Sequence, residues 1–178
     1  MAARVFVALL LSGYFSSSRA DDSRWLDVPF VAQSGEGCGA ASIAMVMQYW
    51  IRQDMRIQPS AADGDRIYKL LSSSGKGISG QALKRYLEAQ GFDVFVFDGE
   101  LRDLRQHFEK GRPVVVCFAP NGSRGPLHYS VVVGIADGAV LLNDPARGKL
   151  VREDLPRFER AWKATRNWAL LAVPRQAR

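Results

Sequence analysis

Apolar and polar positions divide this chain into a helical first half and a strand-rich second half. Residues 42–50, with Ile43, Ala44, Met45, Val46, Met47, Tyr49 and Trp50, are apolar on nearly every side, the pattern of a buried central helix. A second helix is expected around Gly64–Leu71, followed by the Ser-Gly loop of residues 72–77. Ser79 caps a third helix through Gln81, Leu83, Leu87 and Ala89 that stops at Gly91. Residues 92–97 read as a strand. Residues 101–110 read as an amphipathic helix with Leu101, Leu104 and Phe108 on its inner stripe and His107 on a solvated face. Val114–Phe118 and residues 128–135 are β-branched runs of the interior-strand type. Ala139–Asp144 returns beside the second of these, and a turn at Pro145-Ala146-Arg147-Gly148 leads to a helix over Leu155–Lys163 and a last strand over 168–173. The expected fold class is α+β: an N-terminal helical part packed on a C-terminal antiparallel sheet.

The first apolar helix opens on Cys38 in Gly37-Cys38-Gly39-Ala40-Ala41. A helix N-terminus presents unpaired N–H groups and the positive end of the macrodipole, which favours a thiolate there. Gly37 and Gly39 would let backbone approach a substrate closely. Acyl transfer by a thiolate needs an imidazole, and the chain holds two histidines. His128 opens an interior strand, the rigid placement a catalytic base requires, whereas His107 lies on the charged helix.

Asp144 ends the strand that returns beside His128, so the register of the hairpin decides whether the two can meet. A two-residue loop with an unbroken ladder would pair Val131 with Asp144 and send the His128 and Asp144 side chains to opposite faces. A three-residue loop with left-handed Gly138, or an equivalent bulge, would pair Ser130 with Asp144 and make His128 its same-face diagonal neighbour. The odd loop or a bulge is therefore expected.

These pieces resemble the papain-like peptidases that process bacteriocin double-glycine leaders: Gln33 ahead of Cys38-Gly39, the apolar helix with Met45, the strand opening His128-Tyr129, and Asp144-Pro145 sixteen residues after the histidine. The match spans most of the chain beyond its first 20 residues. Where the family commonly has an acidic residue directly before the cysteine, Gly37 stands here, with Glu36 one place upstream. The resemblance implies a papain-like cysteine peptidase fold, with Cys38 as nucleophile, His128 as general base and acid, Asp144 as orienter of the imidazole and Gln33 as an oxyanion donor. It implies a peptide or protein substrate, with small residues near the cut; no metal and no cofactor are expected, because the two histidines and two cysteines lack any close pairing such as Cys-x-x-Cys or His-x-x-x-His.

Arg4, the apolar run of residues 5–11 and the stretch ending Ser18-Arg19-Ala20 form a secretory signal pattern, with cleavage expected after Ala20. The domains are then residues 1–20 as signal peptide and 21–178 as one leader-peptidase-type domain, periplasmic or secreted and stand-alone. Membrane contact is expected through the signal segment alone, and an export system is a candidate partner. Lys and Arg number 24 against 18 Asp and Glu, a net charge of +6, and alternate with acids along presumed solvated helix faces, as in Arg102-Asp103 and Arg152-Glu153-Asp154, instead of forming a stripe, which excludes nucleic-acid binding as the main role. Arg124 in the turn-rich loop of residues 120–126 could rim a substrate groove or belong to a plain surface connector.

Three readings stay open at this level. The first is a cysteine peptidase acting on an extracytoplasmic peptide. The second is an amidase or acyltransferase with the same residues, acting on cell-wall or small-molecule substrates. The third is a papain-shaped module that binds peptides without cleaving them. A Cys38–Cys117 disulfide, natural in an oxidising compartment, is the structural rival to a free nucleophile.

Overall fold

A computed structural model describes residues 25–72, 77–122 and 125–175. The predicted signal segment, residues 73–76 of the Ser-Gly loop and Arg124 lie outside the described residues. Five helices and six strands follow in the order α1 Cys38–Arg52, α2 Gly64–Leu71, α3 Gly80–Ala89, β1 Phe92–Asp98, α4 Leu101–Glu109, β2 Val114–Phe118, β3 His128–Ala136, β4 Ala139–Asp144, β5 Gly148–Asp154, α5 Leu155–Lys163 and β6 Trp168–Pro174. The strands form one antiparallel sheet in the order β1-β6-β2-β3-β4-β5. Both faces are covered. Val115, Val131, Val133, Leu141 and Leu170 pack with Ile43, Met47 and Leu83 of α1 and α3. Val116, Val132, Val140, Leu142 and Leu171 turn the other way, onto Leu104 of α4 and Phe158 and Trp162 of α5. Burial on both faces is why β2 and β3 read as unbroken apolar runs rather than alternating ones.

Helix α1 forms because its interior holds no Gly or Pro beyond Gly39, and it is central because the stretch from Gly39 through Met47 is buried. Each large side chain so buried, such as Ile43, Met45 or Met47, contributes roughly 1.5–3 kcal/mol. Ser79 caps α3, its hydroxyl accepting from the Ala82 N–H, as the sequence predicts.

Two elements differ from the sequence reading. Residues 148–154 form the edge strand β5, where the charged run Arg152-Glu153-Asp154 suggests a solvated helix face. Strand pairing turns Glu153 onto the covered face, leaving it 8 % exposed. His107 does not stand on a solvated face either: its ring centre lies 6.0 Å from that of Phe97, and its Nδ1 is buried.

The β3–β4 hairpin turns on two residues, Asp137 and Gly138, with Gly138 at φ +69°, so the three-residue alternative is not the one used. A bulge supplies the odd residue instead. Ile135 pairs with Val140 and Gly134 with Leu141, but Leu142 pairs with Val132, leaving Val133 unmatched. The carbonyl freed at Val133 accepts the Leu26 N–H at 2.7 Å. Beyond the bulge Val131 faces Asn143, a register that brings Ser130 beside Asp144.

Candidate active site

Cys38 is the first residue of α1, half-buried, and no side chain caps the helix there. The glycines beside it are used inside the protein. A Cβ on Gly37 would stand 2.7 Å from the Ser34 carbonyl oxygen, and one on Gly39 would meet Leu83 at 3.1 Å and Tyr129 at 3.2 Å. Gly39 therefore lets α1 press against β3 and α3, so the close approach expected of a substrate at this position is made by the protein's own core.

His128 begins β3 and Asp144 ends β4. Their side chains share the face set by the bulge, with Nε2 of His128 2.7 Å from Oδ1 of Asp144. The same oxygen accepts the Ala146 N–H at 2.9 Å, which fixes the carboxylate. Phe118 packs edge-on to the imidazole, ring centres 5.5 Å apart. With Nε2 engaged by Asp144, Nδ1 is the nitrogen left for the Cys38 thiol.

The electrostatics agree with that order. Burial pulls the His128 imidazole down, but hydrogen bonds and charges of Asp144 and Cys38 outweigh it and push the group up to about 9. For Asp144 burial works upward, yet its bond to His128, the Ala146 N–H and the nearby Arg147 guanidinium hold the carboxyl below its ordinary value. Both members are thus charged at neutral pH, an imidazolium bonded to a carboxylate.

Gln33 is brought beside Asp144-Pro145 by a route the sequence did not show. Residues 25–33 run as a strap across the hairpin, bonded through Leu26 N–H to Val133, through the Val28 carbonyl to Asn143 Nδ2 at 3.0 Å, and through Gln33 N–H to the Pro145 carbonyl at 3.0 Å. The strap ends beside Asp144-Pro145. Gln33 Nε2 donates to the Gly35 carbonyl at 2.7 Å, leaving its second amide hydrogen for another acceptor, while its Oε1 is buried without a partner.

Asn143 is the residue missed by sequence reasoning. It is fully buried, donates to Val28 in the strap, and accepts the Leu150 N–H at 3.1 Å in the β5 bulge, where Leu150 has φ +56°. One signal was available: a lone Asn at the end of an apolar strand is expensive to bury unless both ends of its amide are satisfied.

Cys117 lies in β2 opposite Tyr129, buried and free, as is the half-buried Cys38. Burial, together with the neighbouring Cys38, pushes the Cys117 thiol up to about 11, the behaviour of a small core residue. The structure does not adopt the disulfide alternative.

The fold that carries this cysteine, histidine and aspartate has known relatives. The family model described as "Peptidase_C39 like family" matches residues 25–170. The chain belongs to that family. Solved structures with this fold include a C39-like peptidase from Bacillus anthracis, 22 % identical with a TM-score of 0.65, covering 88 % of this chain and all (100 %) of the other. The peptidase domain of Streptococcus ComA, a bifunctional ABC transporter involved in quorum sensing, is 20 % identical with a TM-score of 0.65, over 82 % of this chain and 98 % of that one. A double-glycine-motif protease from an AMS/PCAT transporter, solved with its leader peptide, is 21 % identical with a TM-score of 0.62, over 84 % and 94 %. No curated protein matches the chain. As a C39-like family member, the protein is a cysteine peptidase with the papain-like fold expected from its sequence.

Proposed function

We propose that the chain hydrolyses a peptide bond in an extracytoplasmic peptide through a triad of Cys38, His128 and Asp144. The observation that carries this reading is the imidazole anchored through Nε2 on Asp144 Oδ1 at 2.7 Å, with Cys38 near enough to help hold the ring charged. In the proposed cycle the reactive form is a Cys38 thiolate beside the His128 imidazolium, and Sγ of the thiolate attacks the scissile carbonyl. The oxyanion is met by the Cys38 N–H and the free amide hydrogen of Gln33. His128 then gives its proton to the leaving amine, leaving a thioester on Cys38. A water molecule passes a proton to His128 as it attacks the thioester, and the thiolate is restored beside the imidazolium when the acid leaves. Asp144 holds the ring in one tautomer throughout and stabilises the imidazolium.

The substrate side of the proposal has two supports. One neighbouring fold belongs to a double-glycine-motif protease bound to a leader peptide, which favours a peptide with small residues at the cut. The apolar run of residues 5–11 ahead of Ser18-Arg19-Ala20 favours export, and hence a substrate outside the cytoplasm.

Matched peptides carrying Gly-Gly or Leu-Leu at the scissile position, followed by mass spectrometry, test the chemistry. Faster cleavage of the Gly-Gly peptide that disappears in Cys38→Ala is expected. Equal rates would refute the substrate preference, and cleavage surviving Cys38→Ala would refute the triad. Fusing residues 1–20 to a reporter active only after export tests the compartment, and a silent reporter would overturn it.

A further inference from the structure

Charge continues behind the histidine–aspartate pair. Arg147 Nη1 lies 3.9 Å from Oδ2 of Asp144 and 2.7 Å from Oε2 of Glu153, while Arg157 Nε lies 3.2 Å from the other Glu153 oxygen. His128, Asp144, Arg147, Glu153 and Arg157 therefore form a row of alternating charge from β3 through β4 and the following turn to β5 and the first turn of α5.

The fold builds this row deliberately. Glu153 pairs with Val140, so it projects from the same sheet face as Leu142 and Asp144. Arg147 ends the short turn between β4 and β5, where its own N–H bonds the Asp144 carbonyl at 3.0 Å. An exposed ion pair is worth little. Here the two carboxylates flanking Arg147 are nearly closed off, with side chains 1 % and 11 % exposed, while Arg147 is half-exposed, so its charge acts on Asp144 only partly screened.

We propose that Glu153 and Arg147 are a positioning pair for the reaction, Glu153 holding Arg147 under Asp144 and Arg147 drawing part of the Asp144 charge away from His128. The inference rests on the triad reading above. It gives the pair a purpose: an imidazole gripped too hard by its carboxylate is a poor donor to the leaving amine, and a counter-charge on the far oxygen loosens the grip. Among the described residues, the other groups facing His128 and Asp144 are Cys38 of α1 and the uncharged Phe118 ring of β2. Cys117 and Tyr129 point to the α1 side of the sheet, and Arg157 reaches the pair only through Glu153.

The rate of Cys38 alkylation by iodoacetamide, followed against pH with peptide mapping, reads this directly for wild type, Arg147→Gln, Arg147→Lys and Glu153→Gln. Removing the positive charge makes both thiolate formation and imidazolium deprotonation harder, so the Arg147→Gln profile should move up. Glu153→Gln leaves Arg147 unopposed and should move it down. The displacement expected is about half a pH unit each way, the size of one partly screened charge. Arg147→Lys should restore the wild-type profile. Glu153→Gln keeps the side chain's shape, and Arg147 is half-exposed, so these variants keep the fold.

Displacement of both charge-removing variants in the same direction, or of neither, would refute the pair alone. Slow alkylation of wild-type Cys38 at every pH would refute the triad itself, and the pair with it.

Discussion

Nε2 of His128 and Oδ1 of Asp144 lie 2.7 Å apart because Val133 has no partner across the hairpin. With the two-residue turn at Asp137-Gly138 and an unbroken ladder, these side chains would stand on opposite faces of the sheet. The bulge is thus part of the site, and Asp144 should matter through the ring it orients. Asp144→Asn is expected to lower kcat/KM by at least about 100-fold, toward the roughly 10,000-fold loss that the wrong tautomer causes in a serine triad. Peptide cleavage kinetics check this, and a loss below tenfold would remove Asp144 from the triad.

The proposed oxyanion role of Gln33 is a narrower one. One of its amide hydrogens is spent on the Gly35 carbonyl, and the other is free to meet an oxyanion. Gln33→Ala should lower kcat by roughly 100- to 1,000-fold with little change in KM, because the donor acts on charge that develops only in the transition state. The pH profile of Cys38 alkylation should stay put. A loss carried mainly by KM would make Gln33 a substrate contact instead.

Asn143 ties the strap to the sheet, and its removal is a stability experiment. Asn143→Leu leaves the Val28 carbonyl and the Leu150 N–H in the interior without partners. At about 1–3 kcal/mol for each stranded group, urea unfolding should show a loss of about 3 kcal/mol. Activity should fall more than stability explains, since the strap carries Gln33 to its place beside Pro145. A loss of less than about 1 kcal/mol would mean that water replaces the amide.

Much of this was legible in the chain. The Cys38 helix, the two interior strands and the hairpin follow from apolar runs and turn residues, and the need for an odd residue between His128 and Asp144 follows from the two-residue period of a strand. What could not be read was where that residue would sit. Loop and bulge give the same register, and the choice falls to the Leu26 N–H, which satisfies the Val133 carbonyl from a segment more than a hundred residues away in sequence. Glu153 failed for a similar reason. Its charge reads as solvated until Arg147 and Arg157, on separate elements, are brought to both of its oxygens. Local pattern encodes the elements, while polar partners that cross between elements appear only in three dimensions.

The two thiols should behave differently. Burial pushes Cys117 up to about 11, whereas Cys38 stands half-buried at a helix start within reach of the His128 imidazole. Brief iodoacetamide treatment near neutral pH should add one label, mapped to Cys38, with Cys117 labelled only after unfolding. A protein that takes no label and is lighter by two hydrogens would contain the Cys38–Cys117 disulfide instead.

Stability should carry the signature of the charged pair. The His128 imidazole is held at about 9 in the folded protein and returns to its ordinary value, near 6.5, on unfolding. A group raised by folding stabilises fully below the unfolded value and loses that contribution as pH climbs through the folded one. The free energy of unfolding should therefore fall by about 2 kcal/mol between roughly pH 6.5 and 9, below the full shift because the ring is strongly coupled to its buried carboxylate partner. Asp144, lowered by folding, acts in the other window, its contribution lost only as pH drops below the ordinary carboxylate range. Cys117 adds a further decline at still higher pH, since its raised thiol ionises more easily once unfolded. Urea midpoints across these pH values, compared between wild type and His128→Gln, isolate the first window. The variant should show a nearly flat curve there, and a wild-type curve that is equally flat would mean that the imidazole is not held as an imidazolium by Asp144.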